Sequence, residues 1–66
     1  MPVVNIDWVS GQSAEKRAEV AKRVNAAVSE VTGIPPQMIW VVFKEVSNDA
    51  WFVGDKSVKQ IQSGGA

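Results

Sequence analysis

An α+β fold, one β-α-β unit followed by a C-terminal hairpin, is predicted by three observations. The chain opens on an alternating run, continues into a long stretch of helical periodicity, and returns in a second apolar run with turn residues behind it. Strand, crossover helix and strand at this spacing form a right-handed unit whose two strands are parallel. All 66 residues fall in a single domain, because a chain this short has material for only one core.

The first strand, Val3 to Val9, alternates cleanly, with Val4, Ile6 and Trp8 on one side and Val3, Asn5, Asp7 and Val9 on the other. Ser10, Gly11 and Gln12 turn the chain. Ser13 is the expected N-cap, and Glu15 falls in the first turn, where the helix dipole favours a negative charge. From Ala14 to Thr32 the apolar positions Ala18, Ala21, Val24, Val28 and Val31 recur at helical spacing, widened by Val20 and Ala27. Glu19 and Arg23 make an i,i+4 pair, and Arg17 and Arg23 are placed on the wet side. Gly33 supplies a left-handed cap, and Pro35-Pro36 forbids continuation.

A second strand is expected from about Met38 to Val46, apolar on both faces: Ile39, Val41 and Phe43 on one, Trp40, Val42 and the stem of Lys44 on the other. Ser47-Asn48-Asp49 carries turn chemistry, and Trp51-Phe52-Val53 with Gly54-Asp55 predicts a small hairpin. The tail, residues 60–66, is expected to fray.

One helix covers one sheet face, so the second face of an all-apolar strand needs cover from elsewhere. Chains below roughly 70–80 residues seldom supply more than ~3–5 kcal/mol from one core. No cysteine is present to add a disulfide, which leaves a homo-oligomer as the expected solution. Without cysteine or histidine, thiolate or imidazole metal sites, haem and a Ser-His-Asp triad are out of reach. No cofactor and no metal are expected. Seven basic and seven acidic side chains give no net charge, so no field recruits nucleic acid or an anionic membrane. No apolar run spans a bilayer and no signal sequence precedes the first strand, which leads to the expectation of a cytoplasmic protein.

Pro2 carries the candidate chemistry. It stands between Met1 and a rigid strand. If Met1 is removed, its nitrogen becomes a secondary amine; while Met1 stays, that nitrogen is an amide with no usable lone pair. An α-amino group has a reference pKa of roughly 7.7–8.0, and burial or a nearby cation lowers it toward the range of a general base.

The Met1-Pro2 start, the single β-α-β unit, Gly11-Gln12-Ser13 before a charged helix, Gly33-Ile34-Pro35 before the second strand, and Trp51-Phe52-Val53-Gly54 in the hairpin follow one another in a set order. In that order and spacing the chain resembles the 4-oxalocrotonate tautomerase family from Pro2 to about Lys59. The resemblance implies short subunits that pair into dimers, three of which make a hexamer. It implies a cofactor-free isomerase in which the N-terminal proline moves a proton within an enol or unsaturated keto acid. It also implies two arginines, contributed partly by neighbouring subunits, that bind the substrate, and a hairpin aromatic that lines the pocket.

At the positions matching those arginines this chain holds Gln12 and Trp40, while the pocket aromatic is kept as Trp51, with Phe52 beside it. Glutamine donates hydrogen bonds but lacks the charged fork of an arginine. The expected site is therefore Pro2 as base with Gln12, Trp40, Lys44, Trp51 and Phe52 toward a small-molecule substrate; Lys44 is the candidate replacement cation. Two alternatives remain at this level. A hydratase or dehalogenase on the same scaffold needs a water-activating carboxylate from Asp7, Glu45 or Asp49. A non-catalytic, ligand-binding oligomer needs none.

Overall fold

The computed structural model describes residues 1–64, in the order β1 (Val3–Val9), α1 (Ala14–Thr32), a 3-10 turn (Pro36–Met38), β2 (Trp40–Val46), β3 (Phe52–Val53), β4 (Lys56–Ser57) and α2 (Val58–Gln62). β1 and β2 pair in parallel, with Val3 opposite Trp40 and Val9 opposite Val46. β3 and β4 form an antiparallel hairpin, Phe52 opposite Ser57 and Val53 opposite Lys56. Gly54 takes φ 68° at the first position of the two-residue turn, the left-handed conformation that primed hairpin turns demand.

The helix boundaries follow the local chemistry. Ser13 Oγ accepts from Lys16 N at 3.1 Å, and Gly33 caps the other end at φ 76°, its N–H donating to Ser29 O. β2 begins at Trp40, not Met38. Pro36 sits at the start of a 3-10 turn in which Met38 N donates to Pro35 O and Ile39 N to Pro36 O. The two prolines thus impose one tight turn before the chain extends.

Val4, Ile6 and Trp8 of β1 are part-buried under α1, and the Trp8 and Phe43 rings meet at 4.9 Å. The helix face that meets the sheet is Val20, Ala21, Val24, Asn25 and Val28, with Arg17 also half-buried. Ala18, Ala27 and Val31, assigned to that stripe from spacing, are exposed, Val31 to 86%. Alanine and valine on both sides of the helix make the apolar spacing wider than the contact. Arg17 is not a purely solvated charge either. It reaches Glu45 on β2 at 2.8 Å and Gln12 O at 3.0 Å. Arg23 does pair with Glu19, at 2.7 Å on the outer face.

The expected fraying of residues 60–66 is corrected for Gln60–Gln62, which lie in α2. Ser57 Oγ accepts from Gln60 N, and the Gln60 side chain accepts from Ser57 N, a reciprocal capping box. Ser63 and Gly64 close the last turn through bonds to Lys59 O and Ile61 O. Gly65 and Ala66 lie outside the described residues.

The hairpin and α2 pack on one another and form an arm beyond the end of β2. Asn48 O accepts from Lys59 N and Trp51 O from Val58 N. The molecule measures 46 × 23 × 15 Å with a radius of gyration of 15.3 Å, against about 11 Å for a compact chain of this length. Among the described residues no helix is long and apolar enough to cross a membrane.

Candidate functional site

Pro2 lies at the open end of the sheet. Trp40 N donates to Pro2 O at 3.0 Å, and one step beyond the Val3–Trp40 pair the register sets Pro2 beside Ile39. Ile39 is 5% exposed, the one buried apolar side chain among the described residues. Asn25 of α1 fixes this end: its Nδ2 donates to Pro36 O at 2.9 Å and to Ile39 O at 3.1 Å. Asn25 is a positioning residue that the sequence reading passed over. Its signal was an amide side chain inside the Val24–Val28 stripe, where an unpaired amide would be costly.

The surface around Pro2 is apolar. Trp40 is 55% exposed, and Val3 and Met38 are exposed as well. Residues 1–6 and 24–43 hold a single charged side chain, Glu30. Every lysine and arginine comes either from the first ten residues of α1, from Lys44 near the end of β2, or from the arm.

The other candidates stand elsewhere in the same chain. Gln12 follows the far end of β1, separated from Pro2 by a strand of seven residues, or about 23 Å. Its carbonyl is held by Arg17. Lys44 lies opposite Asp7 in the register, on the face away from the helix that it shares with Trp40 and Val42. Trp51 is half-buried at the root of the arm, and Phe52 is exposed on it. One chain thus joins Pro2 with Trp40 and keeps Gln12, Lys44, Trp51 and Phe52 at its opposite end.

A groove of about 250 Å³ lies at that opposite end, lined by Trp8, Gln12, Lys16, Glu19, Val20 and Arg23. It includes Gln12 but not Pro2. Arg23, hydrogen-bonded to Glu19, holds that carboxyl below its ordinary range. Trp8 Nε1 is buried with no acceptor among the described atoms. Of the carboxylates weighed for water activation, Glu45 is paired to Arg17 and Asp49 accepts from Ser47 Oγ at 2.6 Å. Among the described residues, Asp7 has neither kind of partner.

The family model for tautomerase enzymes matches residues 2–61. A probable tautomerase of Bacillus cereus is 39% identical over 56 residues, covering 85% of this chain and 92% of that protein. Two solved structures share the fold closely. TomN, a 4-oxalocrotonate tautomerase homologue of the tomaymycin biosynthetic pathway, superposes with a TM-score of 0.89 at 26% identity, covering 98% of this chain and all of that one. A heterohexameric 4-oxalocrotonate tautomerase from Chloroflexus aurantiacus gives 0.84 at 28% identity, covering 92% of this chain and 98% of the other. The match begins at the proline, runs through the helix and both strands, and ends within α2: the chain belongs to the tautomerase family and has the 4-oxalocrotonate tautomerase fold.

Proposed function

We propose that this protein is a cofactor-independent tautomerase in which Pro2, freed by removal of Met1, is the general base. The observation that carries the reading is a family match that starts on Pro2, at the open end of a strand whose backbone is pinned by Trp40 and, through Ile39, by Asn25. A secondary amine held there takes the hydroxyl proton of an enol as the carbonyl forms. The resulting ammonium then returns a proton to the neighbouring carbon. Both proton positions are served by one nitrogen, so no cofactor enters the balance.

The proposed assembly is a homohexamer built as a trimer of dimers, and the site is shared between subunits. Two observations support sharing. Trp51 and Phe52 lie at the end of the chain remote from Pro2, and the arm that bears them exposes Phe52, Val53 and Ile61. A neighbour's arm would cover its own apolar surface and deliver the aromatics to Pro2. Trp40 forms the wall beside the base in cis. The proposed location is the cytoplasm.

The substrate class proposed is a small enol or keto acid with one carboxylate, preferred over a dicarboxylate, because Gln12 and Trp40 offer no second anion clamp. The test compares phenylenolpyruvate with 2-hydroxymuconate, using protein whose intact mass shows that Met1 is absent. The expected result is the higher kcat/KM for the monoacid, with Pro2→Ala lowering it by about 100-fold and the Met1-retaining form inactive. A preference for the dicarboxylate contradicts the substrate class. Full activity in Pro2→Ala, with its N-terminal alanine blocked by acetylation, contradicts the base.

A further inference from the structure

Among the described residues, the segments around Pro2 carry no lysine or arginine, so a substrate carboxylate needs its cation from elsewhere. The segments surrounding it contain only Glu30 as a charged residue. Both arginines are engaged: Arg17 bridges Glu45 and Gln12 O, and Arg23 pairs with Glu19. Every subunit of a homo-oligomer repeats these pairings, and among the described residues the lysines are the cations without one.

The arm is the element built to arrive. It projects from a molecule longer than a compact chain would be, and its Phe52 and Val53 are 59% and 60% exposed. Exposed apolar residues on so small a hairpin find cover in a second copy. The end of the subunit around Pro2 offers the matching surface, with Val3, Met38 and Trp40 exposed and Glu30 its single charge. Lys56 stands directly opposite Val53 in the β3–β4 register, so these two side chains share one side of the hairpin, and Trp51, which immediately precedes β3, is tied to the same arm through Val58 N. Lys56 is exposed, and a lysine stem can lie along apolar surface while its ammonium stays in water. Wherever Trp51 docks, Lys56 is carried with it.

We propose that Lys56, delivered in trans with Trp51 by the hairpin, is the cation that binds the substrate carboxylate. This rests on the reading of Pro2 as base in a shared site. A lysine presents a point charge with rotatable donors instead of a bidentate fork, which fits a site for one carboxylate.

The experiment uses the assembled protein with phenylenolpyruvate and its methyl ester as paired probes, and with phenylpyruvate as a binding probe read by tryptophan fluorescence. Lys56→Met is expected to raise KM for the acid about tenfold with kcat little changed, to leave kcat/KM for the ester within about twofold, and to weaken phenylpyruvate binding about tenfold. Lys56→Arg is expected to restore most of the acid binding. Equal effects on acid and ester, unchanged phenylpyruvate binding, or loss of the oligomer in sedimentation would each overturn the proposal. The last result would make Lys56 an intersubunit ion-pair residue, for instance with a neighbour's Glu30. Failure of the base itself shows differently, as full turnover in Pro2→Ala with its N-terminal alanine acetylated, while the binding measurement still reports on Lys56.

Discussion

At the residue scale the account depends on how the Pro2 amine is made basic enough, yet unprotonated, near neutral pH. Two influences are available: exclusion of water by Trp40, Trp51 and Phe52, and the field of a lysine. Both disfavour the protonated amine and therefore lower its pKa. Lys44 is exposed and sits opposite Asp7, where solvent and a neighbouring carboxylate weaken its field. Desolvation is accordingly a larger influence than Lys44. In pH–rate profiles of kcat/KM, Trp51→Ala should move the acid limb upward, while Lys44→Ala should leave it nearly still. A larger shift for Lys44→Ala would reverse that ranking. Pro2 could be singled out in the sequence because the chemistry proposed for it depends on chain position alone. Asn25 was not, because its value lies in two carbonyls eleven and fourteen residues away, which no local pattern announces.

At the scale of elements, caps and turns were the most readable features. Ser13, Gly33 and the Gly54 turn act through bonds within a few residues, and each took the role that its chemistry suggested. The helix face was less readable, since alanine is indifferent to burial and Val31 lies on the outside. The C-terminal helix escaped notice because it is five residues long, too short for periodicity to show. Its signal was local: Ser57 followed three residues later by Gln60. That capping box holds the arm together, and Ser57 is 6% exposed. Ser57→Ala should cost about 1 kcal/mol, seen as faster amide exchange in α2 with the exchange of β1 and β2 unchanged within the assembly. Equal acceleration throughout the chain would show that the arm is not a separate unit.

For the whole molecule, the isolated chain exposes 4857 Å², against about 4,100 Å² for a compact protein of its mass. The excess surface includes Trp40, Phe52, Val53 and Ile61. The expectation of a partner came from a strand apolar on both faces, but the separation of Pro2 from Trp51 had no such signal. Sequence spacing does not disclose that Pro2 and Trp51 end up at opposite ends of one subunit. The most direct test of a shared site is complementation. Pro2→Ala and Trp51→Ala proteins, each weakly active, are unfolded, mixed in equal amounts and refolded together. Random assembly of a site that takes Pro2 from one chain and Trp51 from another gives about one intact site in four. The account predicts that the mixture recovers roughly that fraction of wild-type activity, well above the mean of the two variants. Activity equal to that mean, from mixed oligomers verified by mass, would place Pro2 and Trp51 of each site in one chain and contradict it.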